Sequence, residues 1–102
     1  MVSVKIEKST AKNKKFRAVF YDDNNKKIKT LNFGDSRFSD YTMHKDKTRR
    51  TKYRARHTKN LSKTTYMSPA YLSFYILWGS STSLNTNINN YIKKFKLKKA
   101  KF

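Results

Sequence analysis

The chain has no cysteine. Disulfide scaffolds and thiolate metal sites are therefore excluded. Glycine is scarce too, with only Gly34 and Gly79, so no glycine-rich loop can cradle phosphates. Acidic residues number 6 against 25 Lys and Arg, giving a net charge of +19. A metal-dependent nuclease needs clustered carboxylates, and six scattered ones argue against that chemistry. No apolar run approaches the ~20 residues of a membrane span. The longest, Ala70 to Trp78 in AYLSFYILW, is about half that length, and the N-terminus has no apolar h-region. These absences point to a soluble intracellular protein without an enzyme motif.

What is present fits one small domain. The chain has 102 residues, of which 36% are hydrophobic and 15% aromatic. Large rings can supply much of a small core. Charge of one sign repels itself in a compact chain, so an anionic partner is expected to screen it. Nucleic acid is the first candidate, ahead of an anionic membrane surface or an acidic protein.

The first third reads as three strands. Val2, Val4 and Ile6 alternate with polar residues, and Phe16, Ala18 and Phe20 share a face. The run DDNN makes a turn. Ile28, Leu31 and Phe33 follow with imperfect alternation, which predicts a bulge. Two helices are predicted later. Ser68 and Pro69 open the first and Gly79 closes it, which favours a buried helix over a buried strand. In the second, Leu84, Ile88, Tyr91, Ile92 and Phe95 form a helical stripe.

Between sheet and helices lies FSDYTMHKDKTRRTKYRARH, Phe38 to His57. Asp40 or Thr42 can cap a helix running to about His57. On it, Lys45, Arg49, Lys52 and Arg56 fall at offsets 0, 4, 7 and 11, and Lys47, Arg50 and Arg54 on an adjoining surface. Like-charge pairs weaken a bare helix by ~0.2–0.5 kcal/mol each. A solvated face would interleave glutamate, whereas phosphates opposite this one would explain its single sign. Such a helix has little to bury; it docks through Tyr41, Met43, Tyr53 and an Arg stem, or orders on a partner. Tyr41 and Tyr53 read first as anchors to the core and second as stacking platforms for bases. Phe38 and Asp40 read as joining and capping the helix.

Further basic residues, among them Lys14, Lys15 and Arg17, flank the strands, and Lys93 and Lys94 open a third patch that continues to Lys101. Three patches suit contact with several phosphates. His44 and His57 lie too far apart on a helix to share a metal. A histidine nuclease assisted by Arg and Lys stays open.

The motifs Phe33-Gly34, Ser39-Asp40-Tyr41-Thr42, His44-Lys45-Asp46, Tyr53, Arg56-His57 and Leu77-Trp78 resemble a family of small basic proteins of giant nucleocytoplasmic large DNA viruses. The resemblance covers about residues 14 to 95, and the Lys- and Asn-rich composition is similar to that of AT-rich viral genomes. The chain departs from that family in lacking acidic residues in the last helix. The resemblance implies a viral protein of the virion and of the viral factory in the host cytoplasm.

The expectation is an α+β domain over residues 1–95 with a flexible basic tail over 96–102. An N-terminal antiparallel meander packs on C-terminal helices, and a basic helix is exposed. The expected function is non-enzymatic, largely sequence-independent nucleic-acid binding, with double-stranded DNA as partner and no cofactor or metal. A minor capsid or internal virion protein, bridging acidic capsid proteins or membrane, is the alternative.

Overall fold

The computed structural model describes residues 1–100. Strands β1 (Ser3–Lys8), β2 (Lys14–Tyr21) and β3 (Lys27–Asp35) form an antiparallel meander. Short helix α1 (Tyr41–His44) and the long α2 (Lys47–Leu61) follow. Helix α3 (Pro69–Leu72) continues as a π-helical segment, Ser73–Leu77, before α4 (Leu84–Lys94) and strand β4 (Lys98–Lys99). The architecture is α+β, a sheet followed by helices.

A fourth strand extends the expected meander. The sheet order is β3-β2-β1-β4, with β4 parallel to β1. The tail expected to be flexible from residue 96 is held as far as Ala100. Leu97 N–H closes the end of α4 on the Ile92 carbonyl at 2.9 Å, with Lys96 in the left-handed region that such a closure requires. Leu97 is buried, and Lys98 and Ala100 donate to the carbonyls of Val2 and Val4, each at 2.9 Å. The remainder of that tail, including Lys101, lies outside the described residues.

The predicted bulge is present at the start of β3. Phe20 pairs with Lys29 and Tyr21 with Lys27, so Ile28 is left without a partner and is exposed. Beyond the bulge, Phe33 faces Phe16 and joins Val4, Ala18 and Phe20 in the core.

The α3 segment covers that face. Ser68 Oγ accepts from Tyr71 N–H, and Pro69 takes the first turn, where a missing N–H costs nothing. Leu72, Phe74, Ile76, Leu77 and Trp78 are all buried, as the apolar composition requires. Trp78 N–H reaches the Ser73 carbonyl five residues back, at 3.0 Å, which closes the π-helical turn. Gly34 has φ +78°, and a Cβ there would stand 2.7 Å from Leu77 Cδ1. Glycine thus both permits the backbone turn and lets Leu77 approach the sheet.

Ser83 caps α4 by accepting from Thr86 N–H at 3.3 Å. The predicted stripe faces inward around Tyr91, together with Asn87, which is fully buried. Asn87 fixes the turn between the helices: its amide nitrogen donates to Ile76 and Ser81 carbonyls at 2.8 and 2.7 Å, and its oxygen accepts from Ser81 N–H at 3.0 Å.

Candidate nucleic-acid interface

The basic stretch is two helices instead of one. Asp40 caps α1, accepting from Thr42 N–H at 2.9 Å. Lys45 then takes a left-handed backbone, φ 59°, and ends α1. Asp46 starts α2 by accepting from Thr48 and Arg49 N–H at 2.9 and 3.2 Å. The break removes Lys45 from the stripe it shares with Arg49, Lys52 and Arg56 in a single-helix projection. Helix α2 also runs past His57 to Leu61, whose side chain is buried.

Helix α2 has no apolar stripe and docks largely through guanidinium groups. Arg54 Nη1 donates to the carbonyls of Phe74 and Trp78 at 3.2 and 2.8 Å, and its guanidinium lies 3.9 Å from the Phe74 ring centroid. Arg50 Nε donates to the Gly79 carbonyl at 2.6 Å and lies over Tyr41. These carbonyls crowd the C-terminal end of the α3 segment, where acceptors lack helical partners and the dipole favours cations. Burial, then the charge of Arg50, lowers the pKa of Arg54. Tyr53 completes the contact: its ring stacks between Trp78 and His57, each centroid 4.1 Å away. Tyr41 is buried, so both tyrosines are anchors, whereas Met43 is exposed and takes no part in the core.

Arg49, Lys52 and Arg56, at offsets 0, 3 and 7, take no part in these carbonyl contacts and are exposed. They form one wall of a cleft of about 440 Å³. Gly34, Asp35, Phe38, Ser39 and Asp40 form the facing wall, with Lys15 from β2, and Tyr53, Ser73, Leu77 and Trp78 complete the lining. Phe38 does not join the helix to the core; the residue is 68% exposed and borders the cleft.

All six acids are already engaged. Glu7 pairs with Lys5 and Arg17, Asp23 with the N-terminus, Asp35 with Arg37, and Asp40 with Lys15. Asp22 accepts from Asn24 and Lys26 N–H in the hairpin turn, and Asp46 caps α2. Hydrogen bonds from the Arg37 side chain and backbone hold the Asp35 carboxyl well below the usual range. Arg49, Lys52 and Arg56 consequently have no carboxylate partner among the described residues.

The other expected contacts are dispersed. Lys15 reaches the cleft, but its ammonium lies 2.5 Å from an Asp40 oxygen. Arg17 is held by Glu7, while Lys14 is exposed and pairs in register with Asp35. Lys47 is exposed at the first position of α2. Lys93 and Lys94 are exposed at the end of α4, with Lys94 Nζ 5.5 Å from the Tyr75 ring centroid. His44 Nδ1 accepts from Asp46 N–H at 3.0 Å, which ties the α1–α2 corner, and its ring lies beside Trp78. Among the described residues, no group of three or more His, Asp or Glu could hold a metal ion.

A family model matches residues 4–57, just over half of the chain. The chain belongs to the DUF5754 family. That family is described as one of unknown function. The DUF5754 match spans the meander, α1 and α2 as far as His57, and so includes Phe38, Arg49, Lys52 and Arg56. No curated protein and no solved structure matches the chain. Among the described residues, no helix is long and apolar enough to cross a membrane.

Proposed function

We propose that this DUF5754 protein is a non-enzymatic, largely sequence-independent nucleic-acid-binding protein that holds DNA phosphates on the exposed Arg49, Lys52 and Arg56 of α2. The supporting observation is the pairing pattern: every acidic side chain is engaged, and Arg49, Lys52 and Arg56 stand exposed side by side without a carboxylate partner among the described residues. Solubility alone is better served by mixed signs than by such a single-sign face. Arg supplies a planar fork suited to phosphate, and Lys a point charge. Lys14 and Lys47 extend the basic surface, and the exposed Lys93 and Lys94 offer a separate contact. In the setting implied by the resemblance, the protein coats or condenses the genome of a large DNA virus in the virion or the viral factory.

The test is duplex binding measured across a salt series. Contact with three to five phosphates predicts a slope of log K against log salt of about −3 to −5. A flat dependence overturns the reading. Salt-resistant association with capsid proteins in its place would favour the structural role.

A further inference from the structure

The basic face of α2 is one wall of a concavity, and a duplex backbone alone does not require a concavity. The cleft's volume of about 440 Å³ is within the range of small-ligand sites, about 300–1,000 Å³. Its cationic wall carries Arg49, Lys52 and Arg56, and the exposed Phe38 is part of its lining. The neighbouring carboxylates would repel a phosphate, but Lys15 neutralises Asp40 and Arg37 neutralises Asp35.

The ring is also placed by its own loop. Phe38 N–H donates to the Asp35 carbonyl at 3.1 Å, and Arg37 clamps the Asp35 carboxylate. Tyr53 cannot offer a face, because Trp78 and His57 cover both sides of it. Phe38 is thus the aromatic surface open to a stacking partner here. A flat, uncharged ring carrying phosphates fits between an aromatic and a row of cations, which is the arrangement by which unpaired bases are held.

We propose that the cleft receives an unpaired nucleotide of a nucleic-acid strand, its base stacked on Phe38 and its flanking phosphates held by Arg49, Lys52 and Arg56. This inference rests on the nucleic-acid-binding reading and adds to it a preference for single strands, gaps or frayed ends.

The test uses the full chain with fluorescently labelled oligothymidylate and with a blunt duplex of equal phosphate number, at the same salt concentrations. Oligothymidylate is expected to bind more tightly and to change the fluorescence of Trp78, the sole tryptophan, in the cleft lining. Phe38→Ala, at an exposed position, is expected to weaken oligothymidylate about tenfold and leave the duplex unchanged. Equal, salt-dependent binding of both, unaffected by Phe38→Ala, overturns the inference and spares the phosphate-binding reading. Thymidine monophosphate competing as well as oligothymidylate, phosphate for phosphate, overturns the strand as occupant. Salt-independent or absent binding of both nucleic acids overturns both readings.

Discussion

Arg54 donates from the middle of α2 to the carbonyl of Trp78 at 2.8 Å, across the seam between the basic helix and the buried one. The same nitrogen reaches the Phe74 carbonyl, and the guanidinium carbon lies over the Phe74 ring. Arg54→Ala should therefore destabilise the protein by about 1–3 kcal/mol, by leaving part-buried carbonyls unpaired. Arg54→Lys should restore only part of this, since an ammonium cannot reproduce the planar fork. Urea denaturation of the three proteins checks both statements. Equal stability of wild type and Arg54→Ala would show that the contact contributes nothing.

Asn87 carries the turn between the α3 segment and α4. Its amide donates to two carbonyls and accepts from one N–H, all from a fully buried site. Asn87→Asp places an oxygen where a donor must face Ile76 and Ser81. A loss of about 3 kcal/mol or more is expected near neutral pH, larger than for most single substitutions. Thermal unfolding measures it, and a near-neutral effect would mean that the turn relaxes around the charge.

Much of this fold is legible in the sequence because its signals are local. Ser68 and Pro69 open a helix as their residue types predict, and the broken alternation around Ile28 is a bulge. The fourth strand is not legible, because Lys98 and Lys99 carry no strand pattern and are ordered by a closure at Lys96 and the buried Leu97. Nor is the break at Lys45: His44-Lys45-Asp46 contains no glycine or proline, and only the cap at Asp46 shows where a new helix starts. Spacing puts Arg50 and Arg54 on a different surface from Arg49 and Arg56, but it does not say which of the two surfaces docks. Their roles depend on which side meets the carbonyls of Phe74, Trp78 and Gly79. Phe38 reads as a joint because it precedes the cap; its exposure is a tertiary fact.

His57 stacks on Tyr53 beside Arg56, and burial, followed by the Arg56 charge, lowers its pKa from the usual 6.5. The unfolded chain therefore takes up a proton at His57 before the folded one does. The corresponding stability is full above pH 6.5 and declines as pH falls through that value, levelling off below the folded pKa. Denaturation midpoints measured between about pH 8 and pH 5 should fall, and His57→Phe, which keeps the stacked ring, should flatten that part of the curve. An unchanged slope in the variant would assign the pH dependence elsewhere.

The two sides of α2 predict two different phenotypes. Replacing Arg49, Lys52 and Arg56 by Ala removes exposed charges that touch no carboxylate among the described residues, so the stability change should stay within about 0.5 kcal/mol per site. Duplex binding should weaken similarly across sequences, and the salt slope should shrink by about one unit for each phosphate no longer held. Arg50→Ala with Arg54→Ala should do the reverse. Stability falls, while the slope, measured at a temperature where the variant is still folded, stays near that of the wild type. Circular dichroism melts paired with anisotropy titrations on the same samples separate the two. A triple Arg49, Lys52 and Arg56 variant that binds with an undiminished slope would move the phosphate contacts to other basic residues, Lys14 and Lys47 or Lys93 and Lys94.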